Sequence, residues 1–314
     1  MISAPRFLQG GADAAIGKQC TDTVPKRREG MYTYGVELML WTEIFTEDHI
    51  SLIENARKLG FDGVEIYIRY PDRLPVQKIK DALRAHDMKV CFVVILPLEY
   101  NPLSEDSQVR EASLDYFTRC IDTAYRIAGS GCVIGGVNYA PPGYITGKAR
   151  TDAQWARSVE YFRLAARHAR ERGVTLAVEP LNRFETFFLN TAADAVRFCK
   201  DVDEPNAKVH LDTYHMIREE KDFYKAIVES GPYVGLVHAC ENDRGTPGTG
   251  LVQWEEVYRG LKDIEYHGWI VIESFVPEVE EIARLAAVWR KLAPNADHLA
   301  GEGLKNLRAI EQKS

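Results

Sequence analysis

The stretch TLAVEP, residues 175–180, is a short apolar run that stops on a carboxylate and a proline. Three later stretches repeat the design: KVHLD at 208–212, GLVHA at 235–239 and WIVIE at 269–273. Apolar runs this short, bounded by turn residues, read as strands buried on both faces in a parallel sheet. Residues 34–38, 63–68, 89–95 and 132–137 read the same way, which makes eight strands. Amphipathic segments fill the gaps, at 48–59, 76–86, 107–128, 153–172, 192–202, 222–230, 253–264 and 279–291. In the first of them Ile50, Ile53 and Leu59 share a face and Gly60 stops the helix. A last helix is expected over 299–312. Strand and helix alternating eight times is the arithmetic of a (β/α)8 TIM barrel, here one α/β domain with an extra C-terminal helix. A doubly wound open sheet usually has a glycine-rich turn after its first strand. Met39-Leu40-Trp41-Thr42-Glu43 contains no glycine.

Composition sets outer limits. The chain has 314 residues, 46% hydrophobic and 27% charged, which is ordinary for a globular protein and excludes a disordered one. Its net charge of −7 gives no electrostatic footprint for nucleic acid or an anionic membrane. No apolar run reaches the roughly 18 residues a membrane-spanning helix needs. The six cysteines form no C-x-x-C pair and read as reduced core thiols of a cytoplasmic protein. Residues 1–30, with Gly10-Gly11 and the basic Lys26-Arg27-Arg28, lack the apolar centre of a secretory signal. They read as a peripheral extension before a catalytic domain at 31–314.

Chemistry in such a barrel sits at the carboxyl ends of the strands. Strands five to eight end in Glu179, Asp212, His238-Ala239 and Glu273. One carboxylate at a strand end usually caps a helix or faces solvent. Four polar ends on adjacent strands converge on one side of the barrel mouth, and three carboxylates that close repel each other unless a cation sits among them. Three oxygen donors and one nitrogen suit manganese, magnesium or cobalt better than zinc. Glu185, His215 and Arg244 follow in the loops above and can hydrogen-bond several hydroxyls of a polyol. His210 points inward, two residues before Asp212, and reads as core or as a layer beneath the metal.

The segments VEPLNRFET (178–186), LDTYHM (211–216), HACENDRGTPGTG (238–250) and IESF (272–275) resemble the D-tagatose/D-psicose (allulose) 3-epimerases, of the xylose-isomerase-like barrel superfamily. The resemblance runs from about residue 33 to the C-terminal helix. It implies that Glu179, Asp212, His238 and Glu273 ligate a manganese-type ion, and that Glu185, His215 and Arg244 contact a sugar. It suggests a homodimer or homotetramer. The loops Asn138-Tyr139-Ala140-Pro141-Pro142-Gly143 and Val94-Ile95-Leu96-Pro97 depart from the family, which often carries a tryptophan after the fourth strand.

The activity so implied is epimerisation of a free ketose at carbon 3. A proton next to a carbonyl leaves, and one returns on the other face, through an enediolate stabilised by the metal. Glu179 and Glu273 are then both ligands and the acid/base pair. An aldose–ketose isomerase of the hydroxypyruvate or tetrulose type would use the same site. Sugar phosphates fit less well, because GTPGTG (245–250) is a weak phosphate cradle. An abasic-site endonuclease would need more histidines and a basic face. A non-catalytic sugar binder would have little use for two opposed carboxyl groups.

Overall fold

The computed structural model describes residues 30–314. Eight parallel strands close into a barrel in simple sequence order: β1 Thr33–Glu37, β2 Gly63–Tyr67, β3 Lys89–Val93, β4 Val133–Gly135, β5 Thr175–Val178, β6 Ala207–Asp212, β7 Val234–Ala239 and β8 Trp269–Ile272. Around it lie α1 Ser51–Leu59, α2 Val76–Ala85, α3 Ser107–Ala128, α4 Asp152–Arg170, α5 Ala192–Val202, α6 Thr213–Glu219, α7 Phe223–Ser230, α8 Trp254–Asp263, α9 Glu280–Leu285 and α10 Ala296–Glu311. This is the (β/α)8 barrel that the alternation implies. Among the described residues no helix is long and apolar enough to cross a membrane. The expected N-terminal extension, but for Gly30, lies outside the described residues.

Alternate residues of each strand face opposite sides. Outward-facing Val36, Val64, Ile66, Phe92 and Ile134 join the helices in the main apolar layer. Inward-facing Cys91, Ala177, Leu236 and Val271 fill the barrel itself. The Trp269 indole plugs the floor, and only glycine leaves it room. A Cβ on Gly63 would lie 2.5 Å from Trp269 Cη2 and 2.6 Å from the Lys89 carbonyl oxygen. At this end α10 is tied in by Tyr34, whose hydroxyl meets Tyr258 Oη and donates to Glu311 Oε2, both at 2.9 Å.

The third strand stops at Val93, two residues short of the expected 95, and three further elements differ from the sequence expectation. The fourth strand stops at Gly135, because Gly136 takes φ 100°, and a Cβ there would meet Val93 Cγ2 at 2.6 Å. The helix expected over 279–291 ends at Leu285. Ala287 takes a left-handed φ of 54°, and the Val288 amide donates back to Ala283 O at 2.8 Å. This helix-terminating turn usually uses glycine. Here it is offset by burial of Val288 among Met39, Tyr67, Val93 and Phe275. Third, LDTYHM contains the start of a helix, α6, whose cap is Asp212: Oδ1 accepts the Tyr214 amide at 2.8 Å.

Candidate active site and metal centre

The strand register places the polar ends at one level. Asp212 pairs with His238 across β6 and β7, and β7 pairs Ala239 with Ile272, one residue before Glu273. A register shift at Val209/His210 precedes the end of β6. Glu179, Asp212, His238 and Glu273 are all buried. Donor atoms of Asp212, His238 and Glu273 lie within 4.8 Å of one another. Glu179 joins this set through two overlapping groups, one with Asp212 and His215 and one with His210 and His238. His238 Nδ1 stands 3.5 Å from Glu273 Oε1. Both His238 Nδ1 and Glu179 Oε1 are buried without a hydrogen-bond partner.

Those two orphaned atoms test whether a cation fits. Buried polar atoms are nearly always satisfied. Here an oxygen and a ring nitrogen face the same space as two further carboxylates. The donor set of three carboxylates and one imidazole suits a hard or borderline divalent ion.

The electrostatics follow from the crowding. Burial pushes Glu179 up to about 8; His238 opposes the rise and Asp212 adds to it. Burial likewise raises Asp212, against the pull of Arg244. For His238 burial works downward, but the carboxylates of Glu65, Glu179 and Glu37 overcome it and lift the imidazole to about 10. His210 and His215 are held well below the usual imidazole range, chiefly by burial; Arg244 lowers His215 further.

The loop residues close over this centre. Arg244 donates through Nη1 to Glu273 Oε2, and to Asp212 Oδ2 at 3.3 Å. Its guanidinium lies 3.8 Å from the Tyr214 ring centroid and 5.1 Å from that of Phe275. Its backbone is left-handed, with φ 65°. Such strain persists only where neighbours over-determine it. The buried Glu241 carboxylate supplies that constraint, accepting from Gly248 N and Val252 N at 2.9 Å and from Trp254 Nε1 at 3.0 Å. His215 Nε2 faces Asp212 Oδ2 at 3.5 Å and Glu179 Oε1 at 3.9 Å. Glu185 is half-buried and joined to His215 through Asn182, which donates from Nδ2 to Glu185 Oε1 at 2.8 Å and from its backbone amide to His215 Nδ1 at 3.0 Å. His210 lies below, its ring 4.0 Å from that of His238 at 83°.

Sequence reasoning missed several neighbours of this centre. Glu37 and Glu65 sit inside the barrel at paired positions of β1 and β2. Glu65 Oε2 lies 2.8 Å from His238 Nε2, whereas both Glu37 oxygens are buried without a partner. Burial, and Glu65 beside it, hold Glu37 well above the carboxylate range. A carboxylate inside an apolar strand run (Val64-Glu65-Ile66) was the available signal. Tyr139 and Asn182 are also buried beside the centre, and nothing local in the sequence marks them. An apolar wall of Met39, Tyr67, Val93 and Phe275, backed by Ile282 and Ala283 of α9, covers the β1–β3 side of the mouth.

Residues 53–310 match the family described as xylose isomerase-like TIM barrel. A probable ketose 3-epimerase from Synechocystis is 33% identical over 89% of this chain and 96% of its own length. A D-psicose 3-epimerase from Agrobacterium fabrum is 34% identical over 84% and 92%. The crystal structure of a D-allulose 3-epimerase from Methylomonas, in complex with D-allulose, superposes with a TM-score of 0.84 at 29% identity, covering 89% of this chain and 97% of that one. The chain therefore belongs to the xylose isomerase-like TIM barrel family, within its ketose 3-epimerase branch of carbohydrate isomerases.

Proposed function

We propose that this protein interconverts free ketoses by epimerisation at carbon 3, with a divalent ion, manganese foremost, held by Glu179, Asp212, His238 and Glu273. One observation carries the reading: two unpartnered buried donors, Glu179 Oε1 and His238 Nδ1, share a space with Asp212 and Glu273. A divalent ion there supplies the positive charge that makes a C–H bond beside a carbonyl labile.

The chain's own residues do the rest. Glu179 and Glu273 directly follow the fifth and eighth strands, so they can flank a substrate; one carboxyl takes the carbon-3 proton and the other returns one. His215 Nδ1 accepts the Asn182 amide, which turns the Nε2 edge of the ring, 3.5 Å from Arg244 Nη2, toward the site to meet a sugar oxygen. Arg244 and Glu185 complete the grip on the hydroxyls. The wall of Met39, Tyr67, Val93 and Phe275 keeps water from the β1–β3 side.

The test is a panel of free ketoses with manganese in deuterated water. Deuterium at carbon 3 with a new ketose as product supports the reading. Label at carbon 1 with an aldose as product favours the isomerase on the same site. Absence of exchange with every ketose would overturn both.

The same reading places the protein in the cytoplasm as a homodimer or homotetramer. Five buried free cysteines among the described residues suit a reducing compartment. Exposed Leu285 and Trp289, beyond the eighth strand, are where a subunit interface is to be sought by sedimentation and substitution.

A further inference from the structure

Three buried histidines ring the centre, and each has one nitrogen committed. His210 Nδ1 accepts the Gly136 amide at 3.1 Å. His215 Nδ1 accepts the Asn182 amide at 3.0 Å. A backbone N–H can only donate, so the Nδ1 lone pair of each of these two rings is taken up by an amide and is not free for a cation. His238 is turned the other way. Its Nε2 meets Glu65 Oε2 at 2.8 Å, and a carboxylate can only accept there. His238 alone of the three therefore directs Nδ1 at Asp212 and Glu273 as a potential ligand.

Glu65 is placed for this task and for little else. It lies on β2, while His238 lies on β7, so the bond spans the barrel interior between strands that are not neighbours. Both side chains are 0% exposed. Burying a carboxylate is costly unless it is paired. Among the described residues its ion-pair partner is His238, with the Cys91 thiol 3.7 Å from its other oxygen. A barrel that needed only packing at this position would be served by an apolar side chain like those around it.

We propose that Glu65 is a positioning residue: by holding the Nε2–H of His238 it fixes the ring so that Nδ1 faces the cation, while the amides of Gly136 and Asn182 occupy the Nδ1 atoms of His210 and His215. The inference rests on the reading of His238 as a ligand. A carboxylate behind a ligating imidazole sets ring orientation and raises its donor strength, and its loss typically costs 10–100-fold in metal affinity.

The experiment is a manganese titration of the metal-depleted full-length protein, with free ion read by electron paramagnetic resonance, for wild type, Glu65→Gln, Glu65→Ala and His215→Gln. Thermal melts of the metal-free forms run alongside. Glu65→Gln keeps shape and volume, so it carries the test should Glu65→Ala not fold. The expected result is a loss of about 10–100-fold in manganese affinity for Glu65→Gln, with the metal-free melting temperature close to wild type, and a smaller loss for His215→Gln. A second readout is the slowly exchanging ring N–H of His238 in the magnesium-loaded protein, seen by nitrogen-15 NMR and displaced in Glu65→Gln. Manganese affinity within twofold of wild type in Glu65→Gln would overturn the proposal while leaving the ligand reading intact. A wild-type protein that binds no manganese would overturn both.

Discussion

The hydroxyl of Tyr139 donates to the backbone carbonyl of Glu179 at 2.8 Å, so the loop after β4 holds the residue that directly follows β5. Tyr139 is itself fixed by packing against Phe188 and Phe198, with ring centroids 5.8 and 6.0 Å away. Tyr139→Phe keeps this packing and leaves a buried carbonyl unpaired. It is expected to lower unfolding free energy by about 1–3 kcal/mol in urea denaturation. It should also reduce turnover more than it alters KM, because the Glu179 carboxyl loses its backing.

Glu179→Gln and Glu273→Gln remove the two carboxyl groups proposed to move the proton. Each is expected to slow exchange of the carbon-3 hydrogen by about 10²–10⁴-fold, followed by deuterium incorporation in the ketose. Wild-type exchange in either variant would refute the assignment.

Without a cation, Glu179 at about 8 and His238 at about 10 both hold protons at pH 7. An ion that binds both must displace them, so calorimetry in buffers of differing ionisation enthalpy should report about two protons released per manganese at pH 7. Affinity should strengthen as pH rises from 6 to 8. Stability of the metal-free protein should move the opposite way. Both groups sit above their ordinary values of 4.5 and 6.5, so the folded state binds protons more tightly than the unfolded chain. Their contribution is complete at low pH and is lost as pH climbs through about 8 and then about 10. The depressed His210 and His215 lose stability only on the acid side of 6.5. Melting temperature of the chelator-treated protein should therefore fall between pH 7 and 10.

Glu241→Ala breaks the bonds that pin the loop bearing Arg244. Bonds to a charged acceptor contribute about 1.5–3 kcal/mol each, so a destabilisation of about 3 kcal/mol or more is expected. Amide exchange at Gly248 and Val252 should accelerate, and KM for the ketose should rise as Arg244 loses its left-handed backbone. Unchanged exchange at both amides would show that the carboxylate does not hold the loop.

The barrel was legible because short apolar strands and amphipathic helices alternate with clean stops such as Gly60. The convergence of Glu179, Asp212, His238 and Glu273 was legible too, since strand ends on adjacent staves must share one rim. Other features were not. Glu37 and Glu65 lie on the first two strands, which as read from sequence, at 34–38 and 63–68, close on the apolar Leu38 and Ile68. Their inward direction emerges only when the register with β3 and β8 is known. Tyr139 and Asn182 act through bonds to residues 40 and 33 positions away, which no local pattern encodes. The break after Leu285 was hidden because alanine, normally a helix former, takes the left-handed turn at position 287.

The indole of Trp269, lodged against Gly35 and Gly63, packs on Cys91, Ala177, Leu236 and Val271 and fills the barrel beneath the polar rim, which leaves the rim as the way in. Reactant and product must use the same doorway in turn. Each epimer should thus act as a competitive inhibitor of the other's conversion, and a reaction mixture should slow as it nears equilibrium from either side.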